Sequence, residues 1–391
     1  MSEIRSRFGR PLRLAMIGGG PTSWIGRTHQ TAAELDGYWR VLGGVFSADP
    51  AQSRDSGLAL GFDGARCYGT VEELIAAERA RKDGVEAVAI MTPNDTHYEY
   101  AAAALDAGLD VICDKPVTHD LAQALDLVQR VRRNRRLFAI AHGYSCYPMT
   151  RLARTLVRDG ALGALRLAQV ECIQGGLATW IEDGPRNNRL RWILDARRSG
   201  LSLVMSAIGC HAQHLASSAS GLDVRRVCAD VGALVPRRTL VDYTSALCEF
   251  EGGVRGTFTV TQAAAGAEND IRLRVYGEKG MLDWNHREAS YLKLALRGEP
   301  VRTFGRGDPG LPPDVLAAGR APRGHPEGLR EAFANIYAEL AQERMAIALG
   351  QSAPAFPYPR IEDGAHTMAF IEACMASQAS GRWVDVARSR A

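Results

Sequence analysis

The feature that most constrains the fold is a regular alternation of short apolar segments with helical segments in the first third of the chain. The first apolar segment, Leu12 to Ile17, leads directly into three glycines. Strands that are almost wholly apolar are typical of a parallel sheet that helices cover on both faces. Further strands are predicted over residues 40–46, 87–91, 110–113 and 137–141, and helices over residues 27–35, 71–81, 97–107 and 121–132, with another opening at Asp49-Pro50. This order predicts a doubly wound parallel sheet.

The pattern changes after about residue 143. One predicted helix, over residues 149–158, is followed by segments of strand character and by turn-like sequences such as Glu251-Gly252-Gly253. These segments cover residues 165–173, 224–231, 244–250, 254–262 and 271–276. Short turns between strands favour an antiparallel or mixed sheet. We therefore predict two domains, residues 1–143 and 144–391.

The end of the chain contains two predicted helices, over residues 328–349 and 361–379. The segment before them, residues 297–328, is rich in Gly, Pro and Arg and is predicted to be a long loop. Loops of this length are usually functional or disordered. We expect that the C-terminal helix can pack back on the first domain.

Composition excludes several classes of function. The 47 Lys and Arg residues nearly balance the 44 Asp and Glu residues and are scattered, so no nucleic-acid surface is predicted. No run approaches about 18 apolar residues and the N-terminus lacks the apolar segment of a signal peptide, so no membrane partner is expected. No two of the eight cysteines lie closer than Cys210 and Cys228, which favours a reducing cytoplasm. No His, Cys, Asp and Glu spacing is typical of a metal site, so no metal is predicted.

Gly18 and Gly20 lie between the first predicted strand and the following helix. Glycines at this place let the backbone turn tightly and approach a pyrophosphate, which the helix N-terminus binds. We therefore predict a dinucleotide site that also includes the residues opening the helix, Pro21, Thr22, Ser23 and Trp24. The third glycine of the usual pattern is absent, with Ser23 near its place and Gly26 beyond it. The alternative is a tight turn without a ligand.

The residues after the second strand leave the choice between NAD and NADP open. An acidic residue usually holds the ribose hydroxyls there, but Ser47 occupies this place and Asp49 comes two residues later. Asp49 can bind the free hydroxyls of NAD, whereas Ser47 with Arg54 can bind the 2′-phosphate of NADP. Asp49 can also simply cap the next helix. We slightly favour NAD.

The third and fourth strands end in further polar residues, and the carboxyl ends of parallel strands face one crevice. The residues predicted to contribute to the cofactor site there are Thr92, Pro93, Asn94, His97, Asp114 and Lys115. Lys115 is also the candidate catalytic residue, because an amine at the mouth of a buried strand can pass a proton to or from a substrate oxygen. The alternative is a surface lysine in a turn.

Four short motifs together resemble one known family, that of glucose-fructose oxidoreductase, inositol dehydrogenase and the rhizopine catabolism protein, Gfo/Idh/MocA. The motifs are Gly18-x-Gly20, Thr92-Pro93-Asn94-x-x-His97, Asp114-Lys115-Pro116, where the family usually has Glu-Lys-Pro, and Gly209-x-His211. The resemblance covers nearly the whole chain. It implies an N-terminal Rossmann domain and a C-terminal α/β domain built on a large, open, mostly antiparallel sheet.

The resemblance also implies an NAD(P)-dependent oxidoreductase. Such an enzyme moves a hydride between the nicotinamide and a secondary hydroxyl or ketone of a sugar, sugar derivative or cyclic polyol. By this resemblance, Lys115 is the main proton shuttle and substrate contact, and His211 hydrogen-bonds the same hydroxyl. Family members commonly associate through the outer face of the second domain's sheet, so a homodimer or homotetramer is expected.

The sequence departs from the family at Ala207, where other members have an Asp that orients the His four residues later. Three outcomes are open: slower chemistry, a different acid or base, or lost catalysis. His214 lies on the same helical face as His211 and either contacts substrate or is structural. One alternative function is a redox-neutral sugar-modifying enzyme with tightly held NAD, which oxidises transiently and then eliminates or epimerises. Another is a dinucleotide-binding protein with impaired catalysis.

The same resemblance places further substrate candidates. Tyr147 follows the fifth strand, where members often put a Tyr or Arg against the substrate. Arg191, Trp192 and Asp195 resemble a loop of members that act on sugars. The flat face of Trp192 can stack on the C–H surface of a sugar ring, or the residue belongs to the core. His325, at the end of the long loop, either closes over the cleft or serves the entry to the next helix.

Overall fold

The computed structural model describes residues 3–184, 192–200, 202–352 and 356–388. The described chain forms two compact units. The first is made of the described residues within 1–118, 122–141 and 333–364, and the second of those within 119–121, 142–332 and 365–391. Residues 333–364 thus belong with the first unit, although most of the second unit precedes them in the sequence.

The first part of the chain contains the strands that its apolar segments predict, with small differences at their ends. They are β1 (Leu12–Gly18), β2 (Trp39–Val45), β3 (Ala87–Met91), β4 (Asp110–Cys113) and β5 (Phe138–Ile140). The helices are α1 (Glu3–Phe8), α2 (Trp24–Glu34), α3 (Pro50–Ala59), α4 (Val71–Ala80), α5 (His97–Asp106) and α6 (Leu121–Asn134). α2 starts before the predicted residue 27 because Ser23 caps it, with Ser23 Oγ accepting a hydrogen bond from the Gly26 amide at 3.0 Å.

These five strands form one parallel sheet in the order β2-β1-β3-β4-β5. Every residue of β3 and of β4 is buried, as expected for strands covered on both faces. The predicted doubly wound parallel sheet is therefore confirmed. The strand order reverses at β1, and ligands of such sheets bind at the carboxyl ends of the strands beside the reversal.

The rest of the chain supplies the strands of a second sheet. They are β6 (Leu165–Gln174), β7 (Val224–Gly232), β8 (Tyr243–Phe250), β9 (Arg255–Thr261), β10 (Asn269–Gly277), β11 (Gly280–Asn285), β12 (Tyr291–Leu296), β13 (Arg302–Gly305) and β14 (Val384–Asp385). The helices are α7 (Pro148–Arg158), α8 (Ala196–Ser199), α9 (Cys210–Ser220), α10 (Pro313–Ala317), α11 (Leu329–Ala348) and α12 (Ile361–Ser380). Most of α11 belongs to the first unit, whereas most of α12 belongs to the second.

The second sheet has nine strands in the order β13-β12-β11-β10-β6-β9-β8-β7-β14. All neighbouring pairs are antiparallel except β6 and β9, which run parallel. Along β10, buried Ile271, Leu273 and Val275 alternate with half-buried Arg272 and Arg274, so one face of the sheet packs on the core. The predicted mostly antiparallel sheet is confirmed.

The prediction of a long loop over residues 297–328 is wrong in part, because the segment contains β13 and α10. A buried ion pair holds its end, with Arg306 Nη1 lying 3.1 Å from Glu327 Oε1. Glu327 also accepts a hydrogen bond from the Arg320 amide at 2.5 Å. Glycine and proline therefore mark turns within an ordered segment here. Among the described residues, no helix has both the length and the apolar character that crossing a membrane requires.

Candidate active site

A turn of glycines connects β1 to α2 at the carboxyl end of the parallel sheet. Gly18 and Gly19 have φ angles of +92° and +76°, in the region that favours glycine. A Cβ atom on Gly18 would lie 2.7 Å from the Met91 carbonyl oxygen, and one on Gly20 would lie 2.9 Å from the Phe46 carbonyl oxygen. Only glycine therefore allows the turn to lie this close to the ends of β2 and β3.

Gly26 performs the task of the missing third glycine. A Cβ atom on Gly26 would lie 2.4 Å from Gly19 Cα and 2.6 Å from the Gly19 oxygen. Its absence lets α2 approach the turn closely, which is the role of the third glycine in dinucleotide-binding sequences. The spacing of the glycines did not indicate this role for Gly26, because the third glycine usually comes at the position of Ser23.

The N-terminus of α2 has the properties of a pyrophosphate site. Its first turn carries no acidic residue, so no carboxylate competes with a phosphate for the positive end of the helix dipole and the backbone N–H groups that Ser23 does not cap. Pro21 and Thr22 form the turn before the capping Ser23, and Trp24 begins the helix with 66% of its surface exposed. The glycine turn and this helix start together fit a dinucleotide such as NAD.

The residues after β2 that were considered for binding the ribose form hydrogen bonds within the protein. Asp49 Oδ1 accepts a hydrogen bond from the Gln52 amide at 2.7 Å and thereby caps α3. Ser47 Oγ donates to Gln52 Oε1 at 2.9 Å. Arg54 Nη2 donates to both carboxylate oxygens of Glu73, at 2.8 and 2.6 Å. Because Arg54 is paired with Glu73, its use for a 2′-phosphate is disfavoured.

His97 connects the ends of β3 and β4. Its Nε2 lies 2.9 Å from the Thr92 carbonyl oxygen, and its Nδ1 lies 2.8 Å from the Pro116 carbonyl oxygen. The side chain is buried, and burial lowers the pKa of the imidazole. A neutral imidazole carries one N–H, so His97 donates a hydrogen bond to one of these two carbonyl oxygens and lies beside the other. The predicted contact of His97 with the cofactor remains a prediction.

The turn between β3 and α5 is ordered by local hydrogen bonds. Thr96 Oγ1 donates to Thr92 Oγ1 at 2.7 Å, and the neighbouring Asn94 is buried. Pro93 precedes the short 3-10 turn that Asn94 begins. The predicted contacts of Thr92, Pro93 and Asn94 with the cofactor remain predictions.

Neighbouring groups hold the backbone of Lys115 on both sides. Its amide donates to Asp114 Oδ1 at 2.8 Å, and its peptide bond to Pro116 is cis. The Pro116 carbonyl in turn lies against His97. The side chain of Lys115 therefore starts from a defined point directly after β4, as its predicted role requires.

In the second unit, His211 lies in a cluster of aromatic and imidazole rings. It is in the first turn of α9, directly after a π-helical turn that contains Ala207. Tyr144 and His142 pack edge-on against the His211 ring, with ring centroids 4.9 and 5.5 Å away. His214 stacks on His142 at 4.5 Å. Ring packing thus orients His211, since Ala207 has no carboxylate that could do so.

Sequence analysis missed three further members of this cluster, Tyr144, Asn269 and His286. Asn269 Nδ2 donates a hydrogen bond to Tyr144 Oη at 2.8 Å, and His286 packs edge-on against Tyr144 at 5.0 Å. Burial raises the pKa of Tyr144 to about 12 and lowers the pKa of His286. These residues are far apart in the sequence and belong to no short motif, so only the folded sheet brings them together.

Comparison with known proteins gives this arrangement a family. Residues 12–142 match the oxidoreductase family with an NAD-binding Rossmann fold, and residues 150–283 match the GFO/IDH/MocA C-terminal domain. The chain is 31% identical to the uncharacterized oxidoreductase YfiI of Bacillus subtilis (strain 168), over 96% of this chain and 97% of that protein. The chain belongs to the Gfo/Idh/MocA family.

Two solved structures of an inositol dehydrogenase homolog from Azotobacter vinelandii resemble this Gfo/Idh/MocA protein over nearly its whole length. The complex with NAD+ has a TM-score of 0.93 and 33% identity, covering 98% of this chain and 100% of the other. The complex with NADH and myo-inositol has a TM-score of 0.89 and 32% identity, covering 97% and 98%. The predicted fold and the predicted NAD cofactor are therefore confirmed.

Tyr147, the Gfo/Idh/MocA substrate candidate after β5, is buried in the second unit. Its Oη lies 3.1 Å from His286 Nε2, and its ring packs against Trp284. His286 Nδ1 faces the Asn269 carbonyl oxygen at 3.3 Å and must donate to it, so Nε2 accepts the Tyr147 proton. The Tyr147 hydroxyl therefore donates its hydrogen bond to His286, whereas the ring of Tyr144 packs against His211.

Two of the other substrate candidates, Trp192 and Asp195, make local contacts in this Gfo/Idh/MocA protein. Trp192 packs beside an apolar cluster of Leu177, Ile193 and Leu203. Asp195 Oδ1 accepts a hydrogen bond from the Arg197 amide at 3.0 Å and caps α8. The His325 side chain is exposed, and Arg191 lies outside the described residues. Within the described residues, no group of three or more His, Cys, Asp or Glu residues could hold a metal ion.

Proposed function

We propose that this protein is an NAD-dependent dehydrogenase that acts on a secondary hydroxyl of a sugar, sugar derivative or cyclic polyol. The observation that carries this proposal is the likeness, over nearly the whole chain, to an inositol dehydrogenase homolog solved with NADH and myo-inositol. The glycine turn closed by Gly26 and the fixed backbone of Lys115 support it. The ring cluster around His211 supplies polar groups for a hydroxylated ring.

Bound NAD would be held by the glycine turn and the start of α2, and its nicotinamide would supply the hydride acceptor. The Lys115 amine takes up the hydroxyl proton, and the ammonium group that forms stays hydrogen-bonded to the oxygen and stabilises the negative charge there. His211 hydrogen-bonds the same oxygen, with its ring held by Tyr144 and His142. The carbinol thereby loses one hydride and one proton and becomes a ketone.

Turnover of Lys115→Met with NAD tests this proposal. The substrates are myo-inositol and a panel of aldoses, anhydrosugars and glycosides, followed by nicotinamide absorbance. We expect turnover to fall by about 100- to 10,000-fold, the usual contribution of a general acid or base, while NADH affinity is retained. Lys82→Met is the matched control, because Lys82 is exposed and far along the sequence from the motif. Undiminished turnover in Lys115→Met would contradict the assignment.

Ala207 favours a second candidate, a redox-neutral or catalytically impaired protein. Its methyl group cannot raise the basicity of His211 as the family Asp does. Ala207→Asp distinguishes the cases: a large gain in dehydrogenase rate indicates an impaired site, and a loss indicates a pocket organised without that carboxylate. Release of a leaving group from a sugar without accumulating NADH would favour redox-neutral chemistry.

We also propose that copies of this chain form a homodimer or homotetramer through the face of the nine-stranded sheet that turns away from its core. That face carries the exposed Leu247 and an ion pair between Arg272 Nη2 and Asp283 Oδ2 at 2.6 Å. Leu247→Glu should shift the oligomer toward monomers in sedimentation. A wild-type protein that is itself monomeric would contradict the proposal.

A reducing cytoplasm is the proposed location. All eight cysteines are free, and burial raises the pKa of the Cys113 and Cys374 thiols, which keeps them unreactive. Titration of thiols in the denatured protein, isolated without reductant, should find every cysteine reduced.

A further inference from the structure

Three side-chain amides form a row of hydrogen bonds that ends at Tyr144. Gln262 Nε2 donates to Gln174 Oε1 at 2.9 Å, and Gln174 Nε2 donates to Asn269 Oδ1 at 2.6 Å. Asn269 Nδ2 then donates to Tyr144 Oη at 2.8 Å. Gln174 closes β6, Gln262 follows β9 and Asn269 opens β10, so the three amides, here called the amide chain, come from neighbouring strands of the second sheet.

The sheet fixes the backbone of each member of the amide chain. Asn269 lies opposite Gln174 in the antiparallel pairing of β10 with β6. The Gln174 carbonyl accepts a hydrogen bond from the Ala264 amide at 3.0 Å, and the Gln262 amide donates to the Asp242 carbonyl at 3.1 Å. Because these backbones are hydrogen-bonded into one sheet, the last amide of the chain has a defined position relative to the sheet.

Hydrogen bonds hold Tyr144 at both ends. Its carbonyl oxygen accepts from Thr150 Oγ1 at 3.2 Å, and its hydroxyl accepts from Asn269. A tyrosine whose backbone and hydroxyl oxygen are both fixed keeps one χ1 rotamer, and only rotation about the axis through the hydroxyl remains. His211 and His286 pack edge-on against the ring, with centroids 4.9 and 5.0 Å away, and limit that rotation. The Tyr144 ring is therefore a fixed surface beside His211.

We propose that the amide chain positions His211 for the reaction, by holding the Tyr144 ring against which the imidazole packs. This inference rests on the proposed function, in which His211 hydrogen-bonds the reacting oxygen. A hydrogen bond weakens steeply when its donor and acceptor lose alignment, so an imidazole that tilts stabilises the reacting oxygen less well. Tyr144 and the members of the amide chain are thus positioning residues, which act on the reaction through His211.

Asn269→Ala and Tyr144→Phe remove the same hydrogen bond from its two sides. We expect each to lower kcat for the preferred substrate by about 3- to 10-fold, the range of one net hydrogen bond, with NADH affinity unchanged. The loss falls mainly on kcat because negative charge on the reacting oxygen develops only during the reaction. Gln169→Ala is the matched control and should keep full kcat, because Gln169 Nε2 donates across the sheet to Thr257, outside the amide chain.

The double variant of Asn269→Ala and Tyr144→Phe should be no slower than the slower single variant, since both changes remove one interaction. Losses that multiply in the double variant, or a loss confined to KM, would overturn the inference. Ala207→Asp then tests whether orientation is what the amide chain supplies, because a carboxylate there gives His211 a second means of orientation. The effect of Asn269→Ala on kcat should be smaller in Ala207→Asp than in the wild type. Effects of equal size in both parents overturn orientation as the role of the chain.

NMR follows the His211 ring without turnover. Its ring signals in the NADH-loaded protein, assigned from their loss in His211→Gln, depend on the position of the neighbouring Tyr144 ring. We expect them to shift in Asn269→Ala and to stay in place in Gln169→Ala. Unshifted His211 signals in Asn269→Ala overturn the inference even in an inactive protein. A wild type that binds NADH but turns over no polyol or sugar overturns the proposed function, whereas normal wild-type turnover with Asn269→Ala and Tyr144→Phe unaffected overturns this inference alone.

Discussion

The two units build their candidate sites in different ways. In the first unit the glycine turn of the cofactor site is made of backbone: Gly19 and Gly26 touch so closely that a Cβ on Gly26 would lie 2.4 Å from Gly19 Cα. In the second unit it is made of side chains, with rings such as Tyr144 and His142 packed around His211. The glycine turn depends on the absence of Cβ atoms, whereas the ring cluster depends on which side chains are present. The glycine turn therefore leaves no room for an added methyl group at Gly26.

The sharpest test of the backbone site is Gly26→Ala. The new methyl group has no space between α2 and the glycine turn. We expect NADH to bind at least about 10-fold more weakly and the free energy of unfolding to fall by about 1–3 kcal/mol, as for other overpacked cores. Gly64→Ala is the control, because its nearest contact would be an ordinary 3.4 Å to Leu58. Unchanged NADH affinity in Gly26→Ala would break the comparison.

A buried histidine makes the stability of the first unit depend on pH. His29 is buried, and its Nδ1 lies 2.7 Å from Tyr337 Oη. Burial lowers its pKa, with Asp114 opposing and His97 adding to the effect. The folded state therefore keeps His29 neutral while the unfolded state binds a proton below about pH 6.5. The contribution of neutral His29 to the free energy of unfolding is fully present above that pH. It falls as the pH drops from 6.5 toward the folded pKa, by at most about 1.4 kcal/mol per pH unit.

Thermal unfolding between pH 7 and pH 5 checks this dependence. His29→Gln keeps an acceptor for Tyr337 but cannot titrate, so its stability should fall less steeply with decreasing pH than that of the wild type. The exposed His325 offers a control in His325→Gln, which should follow the wild type. Identical pH profiles for His29→Gln and wild type would show that His29 is not the group responsible.

The smallest expected effect concerns the side chains beside the backbone site. Glu73→Ala releases Arg54 from its two hydrogen bonds and makes it available to a 2′-phosphate. We expect NADP affinity to rise by about 2- to 5-fold, since exposed ion pairs contribute about 0.2–1 kcal/mol, while NAD affinity stays the same. Glu72→Ala removes an equal charge from the same helix turn and should not change NADP binding. A gain of equal size in both variants would indicate a general charge effect.

The same difference between the units explains what the sequence could predict. The glycine turn, Lys115 and His211 lie in short motifs, because a strand, a turn and a helix start are adjacent in the chain. Asn269 hydrogen-bonds Tyr144 across 125 residues of sequence, and no local pattern encodes that contact. The segment 333–364 joins the first unit from the far end of the chain, which periodicity alone cannot indicate. Gly26 was visible in the sequence, but its role depended on where α2 begins.

The central claim is hydride transfer from a ring carbon of a polyol or sugar to NAD. Mass spectrometry of the NADH formed from NAD and fully deuterated myo-inositol, or the best substrate of the panel in deuterated form, tests it most directly. The account predicts that the NADH formed by the wild type carries one deuterium, and that Lys115→Met forms almost none. Reduced cofactor without deuterium, or substrate conversion without any net reduced cofactor, would contradict the account.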